Sequence, residues 1–198
     1  MPQLYSSRTA TGARRHALAL FAIVACAHAA TATTVIAPSF DQLVARAEVI
    51  FQGTATDVRC VWEGEGQQHK IVSYVTFKVE DVLKGTVANS YTLRMLGGTV
   101  GDRTLTVSDA PRFAVGDRDI LFVEHNGTQY MPLVGIMYGR YRLQRDELTG
   151  ADVIATNSGD RVSQLDAQGL PVVAASGAAA LSPEQFKAAI HAKLNDVQ

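Results

Sequence analysis

The sequence predicts a mainly β fold with a short helix before it and another after it. Three observations carry this expectation. Apolar residues between Val49 and Ala155 recur mostly with period two, turn-forming residues divide them into short runs, and the first run changes phase partway along. Many short strands behind one bent first strand suggest a small antiparallel barrel, closed or partly open, of which the five-stranded OB-fold is a member.

The chain opens as an export signal. Arg8, Arg14 and Arg15 precede an apolar run from Ala17 to Ala27, and Ala27-His28-Ala29 has the small-x-small form of a peptidase site, so residues 1–29 are expected to leave between Ala29 and Ala30. A bilayer span takes about 20 apolar residues, more than this run offers, so no transmembrane helix is expected in the mature protein. A second route competes: Ile23-Val24-Ala25-Cys26 resembles a lipobox, which would leave a lipoprotein anchored at Cys26. Arg14-Arg15 fits the twin-arginine signal poorly. Without residues 1–29 the chain holds 15 Lys and Arg against 19 Asp and Glu, a mild acidity that argues against nucleic acid as a partner. Cys60 is then alone in an oxidising periplasmic or extracellular compartment, and no internal disulfide is expected.

The barrel is expected over residues 38–155. Pro38-Ser39 followed by Gln42 predicts a capped helix, with Phe40, Leu43, Val44 and Ala47 on one face. Val49, Phe51, Gly53 and Ala55 then share one strand parity, whereas Val58, Cys60 and Trp62 share the opposite one. That slip predicts a bulge near Gly53 to Asp57. Ile71, Val75, Phe77 and Val79 alternate with polar residues up to Lys84-Gly85; Tyr91, Leu93 and Met95 make the next inward set, and Leu105 and Val107 a short strand. Ile120 to Val123 is apolar on both faces and therefore central. Asn126-Gly127 predicts a tight hairpin to a strand around Tyr130 to Val134, and Tyr138 to Arg145 and Asp152 to Ala155 complete the series. Residues 156–181, rich in Ala, Gly and Ser towards their end, read as a flexible linker. A terminal helix over 182–198 starts at Ser182-Pro183 and carries the stripe Phe186, Ile190, Leu194.

Three segments together carry a resemblance: Glu48-Val49-Ile50-Phe51-Gln52-Gly53, then Phe77-Lys78-Val79-Glu80-Asp81-Val82-Leu83-Lys84-Gly85, then Val115-Gly116-Asp117 leading into Ile120-Leu121-Phe122-Val123. Their arrangement resembles the OB-type barrel of tissue inhibitors of metalloproteinases and other netrin-like domains, and also a group of exported bacterial proteins of unknown function. It spans roughly residues 40–143 and is specific to fold more than to activity. The resemblance implies an exported protein partner such as a metalloprotease. The inhibitors' zinc-chelating mechanism needs a disulfide-tied N-terminal cysteine; the expected N-terminus Ala30-Thr31-Ala32 has none, so only a looser protein-binding role carries over.

Chemistry-bearing motifs are sparse. Gly97-Gly98-Thr99-Val100-Gly101 superficially looks like a phosphate loop, yet Arg103 to Ser108 alternates like a strand where a helix would be needed, so a mobile β-loop is expected. His69, His125 and His191 are not spaced as metal ligands, no Gly-x-Ser-x-Gly elbow occurs, and neither a metal nor a cofactor is expected. Tyr138, Arg140 and Arg142 share a parity that would make an aromatic and cationic face, suited to an anionic glycan or an acidic protein, or simply solvated. Binding on a rigid scaffold falls to loops. Glu63-Gly64-Glu65-Gly66 beside Trp62, and Gly97 and Gly98 leading to Arg103, are the loops best composed for it, with Trp62 and Arg103 as anchors. The resulting expectation is a non-catalytic binding module; the alternative is an exported enzyme or thiol-dependent protein using Cys60 with a histidine.

Overall fold

The computed structural model describes residues 36–66, 69–147 and 149–196. The expected signal peptide, its cleavage between Ala29 and Ala30, and Cys26 lie outside them.

Ser39 opens helix α1 (Phe40–Arg46) with the expected capping box. Its hydroxyl accepts from the Gln42 amide at 3.2 Å while Gln42 Oε1 accepts from the Ser39 amide at 2.9 Å, satisfying two otherwise orphaned donors. The chain then forms β1 (Val49–Glu63), β2 (Lys70–Lys84), β3 (Ser90–Leu96), the small hairpin β4 (Gly98–Val100) and β5 (Arg103–Leu105), then β6 (Arg118–Val123), β7 (Arg140–Arg145) and β8 (Asp152–Ala155). Six of these make one antiparallel sheet in the order β3-β2-β1-β6-β7-β8. The mainly β, antiparallel class is as expected. The closed barrel is not found, because β3 and β8 end the order and do not pair with each other.

Parts of both terminal strands are covered instead. Asn126, in the turn after β6, accepts from the Arg94 amide and donates to the Thr92 carbonyl, and the Leu96 amide donates to the Tyr130 carbonyl, which blunts β3. At the other side the Ile154 amide donates to the Leu181 carbonyl.

The phase slip in β1 is a bulge. Ala55 faces Phe77 but Asp57 faces Thr76, so one residue is extra. Before the bulge β1 lies between β2 and β6; beyond it, β1 pairs with β2 alone. Gly53 is required here, since a Cβ would stand 2.7 Å from the Lys78 carbonyl oxygen.

Alternation places two cores on opposite faces of the sheet. Ile50, Ile120 and Phe122 join Phe40, Leu43, Tyr141 and Ile154 on one face, whereas Phe51, Leu121 and Val123 join Phe77, Leu93 and Met95 on the other. Ile120 to Val123 is central, as its unbroken apolarity predicts. Helix α2 (Pro183–Asn195) seals the first core with fully buried Phe186 and Ile190; the Phe186 ring lies 5.4 Å from Phe40 and 4.5 Å from Tyr141.

Three segments depart from expectation. The expected linker over residues 156–181 carries a hairpin, β9 (Val162–Leu165) with β10 (Pro171–Val173). Val162 is fully buried there, and the Leu181 amide donates to its carbonyl at 2.7 Å. Two isolated short strands among polar residues gave too little periodicity to stand out. Tyr130 to Val134 is not a strand: it meets β6 through a single bridge, Val123 to Leu133, and Pro132 cannot donate to a ladder. Tyr138 sits in a 3-10 turn (Ile136–Gly139), so β7 begins at Arg140.

Candidate functional site

Strand β1 beyond its bulge and the start of β2 form a projecting end whose two faces differ. On one face Val58 and Cys60 of β1 share parity with Trp62, and Ser73 lies opposite Cys60. The β4–β5 hairpin crosses this face. A groove of about 220 Å³ opens beneath it, with apolar walls from Val58, Val75, Met95, Leu105 and Phe113.

Gly98 sets how closely the hairpin approaches. Its φ of 128° is open to glycine alone, and a Cβ would stand 2.6 Å from Cys60 Sγ and 2.5 Å from Ser73 Oγ. Gly97, at φ 106°, offers its carbonyl to Ser73 Oγ at 2.6 Å. The two glycines are thus structural spacers in a β-hairpin, with no helix to complete a phosphate cradle, and the segment expected to be a mobile loop is paired from Gly98 to Leu105.

Cys60 is a half-buried free thiol with Ser73 Oγ 3.3 Å away. Its hydrogen-bond neighbour is therefore a hydroxyl, which cannot serve as a general base for the thiol at neutral pH. The nearest aromatic event is one step further along the strand: Trp62, 41 % exposed, stacks on His69 with ring centroids 4.4 Å apart. His69 is thereby a neighbour of Trp62, and no bond joins it to Cys60. Among the described residues no three His, Cys, Asp or Glu side chains gather at metal-binding distance.

The opposite face of the same end is polar. Glu63 pairs with Arg94 and accepts from the Tyr74 hydroxyl. Those two donors, Arg94 first, hold its carboxyl below the usual range. Arg94 also donates to the Tyr130 hydroxyl at 3.0 Å and lies over that ring at 4.3 Å, with Lys70 4.1 Å from the ring centroid. Lys70 and Arg94 together pull the Tyr130 phenol below its ordinary value. Arg59 stands 5.4 Å from the Tyr74 ring. Sequence reasoning missed this cluster, and the register is the signal for it: Arg59, Tyr74 and Arg94 sit directly across three adjacent strands.

The structure brings Gly97 and Gly98 to Cys60, with Trp62 on the same strand face. Arg103 stands apart: 75 % exposed at the β4–β5 turn, it reaches only Asp102, at 4.0 Å, among the described residues and does not line the groove. The expected face of Tyr138, Arg140 and Arg142 does not form. Arg140 is 2 % exposed, its Nε 2.8 Å from Asp119 Oδ1 and its Nη2 2.8 Å from Asp117 Oδ2, so its charge is spent inside the fold. Arg140 and Arg142 share a parity on β7, but Tyr138 lies in the 3-10 turn before the strand, and the two carboxylates reverse the burial that charge alone would suggest for Arg140.

No helix among the described residues is long and apolar enough to cross a membrane. Comparison with protein-family models, with curated proteins and with solved structures finds no match.

Proposed function

We propose that this chain is an exported, non-catalytic binding module that engages a protein partner at the free end of β1 and β2. The observation that carries this reading is the exposed Trp62, stacked on His69 on the strand face that continues into an open apolar groove. Trp is prominent among residues that dominate interfaces, and an adjacent pocket is where a partner side chain lodges. The groove is smaller than the roughly 300 to 1,000 Å³ of drug-sized ligand sites, which suits one side chain of a partner.

The alternative chemistry finds less support. A thiol enzyme needs a base on Cys60, and the polar groups around this end are already paired among themselves: Glu63 with Arg94 and Tyr74, Ser73 with the Gly97 carbonyl. The basic start, apolar run and Ala27-His28-Ala29 site favour export. The resemblance of the sequence to metalloproteinase inhibitors makes an OB-like ancestry of the sheet and a secreted metalloprotease the first partner to try.

Capture of secreted and envelope proteins on the immobilised protein tests the reading. Trp62→Ala, at a side chain outside both core clusters, should weaken specific capture by at least roughly 30-fold if Trp62 is a dominant anchor. Arg103→Ala should have a smaller effect, as the exposed rim position predicts. Unchanged capture by a folded Trp62→Ala protein would remove the tryptophan from the site, and absence of any specific partner would overturn the module itself.

A further inference from the structure

A second cavity, of about 240 Å³, shares no lining residue with the groove under the hairpin. It lies where β7 runs on past the end of β8, between the Tyr138 to Tyr141 segment, the Thr156 to Asp160 turn and Pro171. One feature points to a ligand, and a second narrows its chemistry.

The first is Tyr141. The residue is only 3 % exposed, with its ring packed against Phe122 and Phe186 at 5.8 and 4.5 Å, yet among the described residues nothing hydrogen-bonds its hydroxyl. A phenol set this deep and without a protein partner takes its hydrogen bond from whatever occupies the space its hydroxyl opens onto. That hydroxyl is not among the polar atoms sealed from solvent without a partner, and Tyr141 lines the cavity. The cavity is therefore where its missing partner belongs.

The second is Arg140, whose presence in the wall would suggest an anion. Its donors are spent: Nε and Nη2 on Asp119, Nη2 also on Asp117, and Nη1 on the Arg112 carbonyl at 2.7 Å and on Asn157 Oδ1 at 3.5 Å. Paired with two carboxylates, it leaves the lining no uncommitted cation to hold an anion. Arg140 instead orients Asn157, turning the amide oxygen towards itself and leaving the amide N–H groups to donate.

What remains is a set of uncharged or acceptor groups, the Tyr141 hydroxyl, the Asn157 amide and the Asp160 carboxylate, beside the apolar bodies of Tyr138, Met137 and Pro171. A ligand that meets them all needs an apolar face and several hydroxyls that both donate and accept. We infer that this cavity binds one neutral pyranose ring, free or at the end of a glycan, with Tyr141 and Asn157 as the hydrogen-bonding residues and Tyr138 as the platform. The volume, below that of a drug-sized site, holds one ring and not two.

The test is titration of the purified protein with methyl β-glucoside, methyl β-galactoside and N-acetylglucosamine, followed by calorimetry and saturation-transfer NMR. Free sugars report the ring alone, and a neutral hexasaccharide of the best binder reports a glycan end. Binding by at least one sugar is expected, weakened roughly three- to tenfold in Tyr141→Phe. That variant deletes one unpartnered oxygen and should fold as the parent does, which its thermal midpoint checks. Equal affinity in Tyr141→Phe, no sugar bound at roughly 50 mM, an affinity weaker than about −2 kcal/mol, or preference for ethanolamine or acetate over every sugar would each overturn the assignment. Partner capture at Trp62 is read separately, so either site can fail without the other.

Discussion

Replacing Arg140 by leucine should destabilise this fold more than any other single loss of charge. Its guanidinium meets Asp119 at 2.8 and 3.1 Å, Asp117 at 2.8 Å and the Arg112 carbonyl at 2.7 Å, and lies 4.1 Å over the Phe113 ring. Asp119 is fully buried, and Arg140 is its hydrogen-bond partner. Arg140→Leu therefore strands a carboxylate in the interior, which typically costs about 3 to 5 kcal/mol. For a chain of this size about 2 to 4 °C accompanies each kcal/mol, so the thermal midpoint should fall by roughly 6 to 20 °C. The pH dependence identifies the cause. Burial already pushes the Asp119 carboxyl above its ordinary value, against the pull of Arg140. A native pKa raised in this way makes a contribution that is fully present below the unfolded carboxyl value, about 3.9, and is lost as pH rises through the native one. Loss of Arg140 raises the native value further, so the gap between variant and parent should widen from pH 4.5 to pH 7.5. Chemical denaturation at both values measures it. Adding Asp119→Asn should return at least about 1 kcal/mol at pH 7.5, because the charge is gone. A gap under about 1 kcal/mol at pH 7.5, or one independent of pH, would refute the buried-charge reasoning.

Gly98→Ala should destabilise by about 3 kcal/mol or more, since its Cβ meets Cys60 and Ser73 at a φ reserved for glycine. Gly101→Ala, at φ 59° with nothing within 4 Å, should cost only roughly 1 to 2 kcal/mol. Equal losses in urea denaturation would show that the hairpin does not press on β1 as described. Phe186→Ala should cost about 3 to 5 kcal/mol and speed amide exchange across α2, because that ring fills the first core beside Phe40 and Tyr141. A loss below about 1 kcal/mol would mean that α2 is not docked through Phe186.

What was legible in the sequence was local, and for physical reasons. Ser39 with Gln42 marks a helix start because both partners of the capping box lie within one turn. The parity change between Ala55 and Val58 is a bulge because side chains alternate strictly along a strand. Ile120 to Val123 declares a central strand by having no polar face. The groove was not legible: Cys60, Ser73 and Gly98 come from three elements, and only the register sets them side by side. Arg140 misled for a related reason. Its partners Asp117 and Asp119 lie 23 and 21 residues upstream, and alternating charges on a strand normally describe a wet face. Bringing Arg140 of β7 against Asp119 of β6 and Asp117 just before it makes the same pattern an interior.

The architecture also argues for where recognition sits. Up to the bulge, β1 is held by β2 on one side and β6 on the other, with Ile50 in one core and Phe51 and Ala55 in the other, so substitutions at these three disturb packing before they alter a surface. The terminal strands are occupied in part, β3 by Asn126 and Tyr130 and β8 by Leu181, which removes strand addition along the covered stretches. Beyond the bulge the constraints relax: β1 keeps one strand neighbour, carries Trp62 on one face, and on the other faces Tyr74, Arg94 and Lys70. The cationic side chains there are tied to Glu63 and to the Tyr130 ring, while Trp62 on the other face stacks on His69 and stays 41 % exposed. The proposed binding role would give them a use there, and the bulge separates that end from the strand pairing with β6.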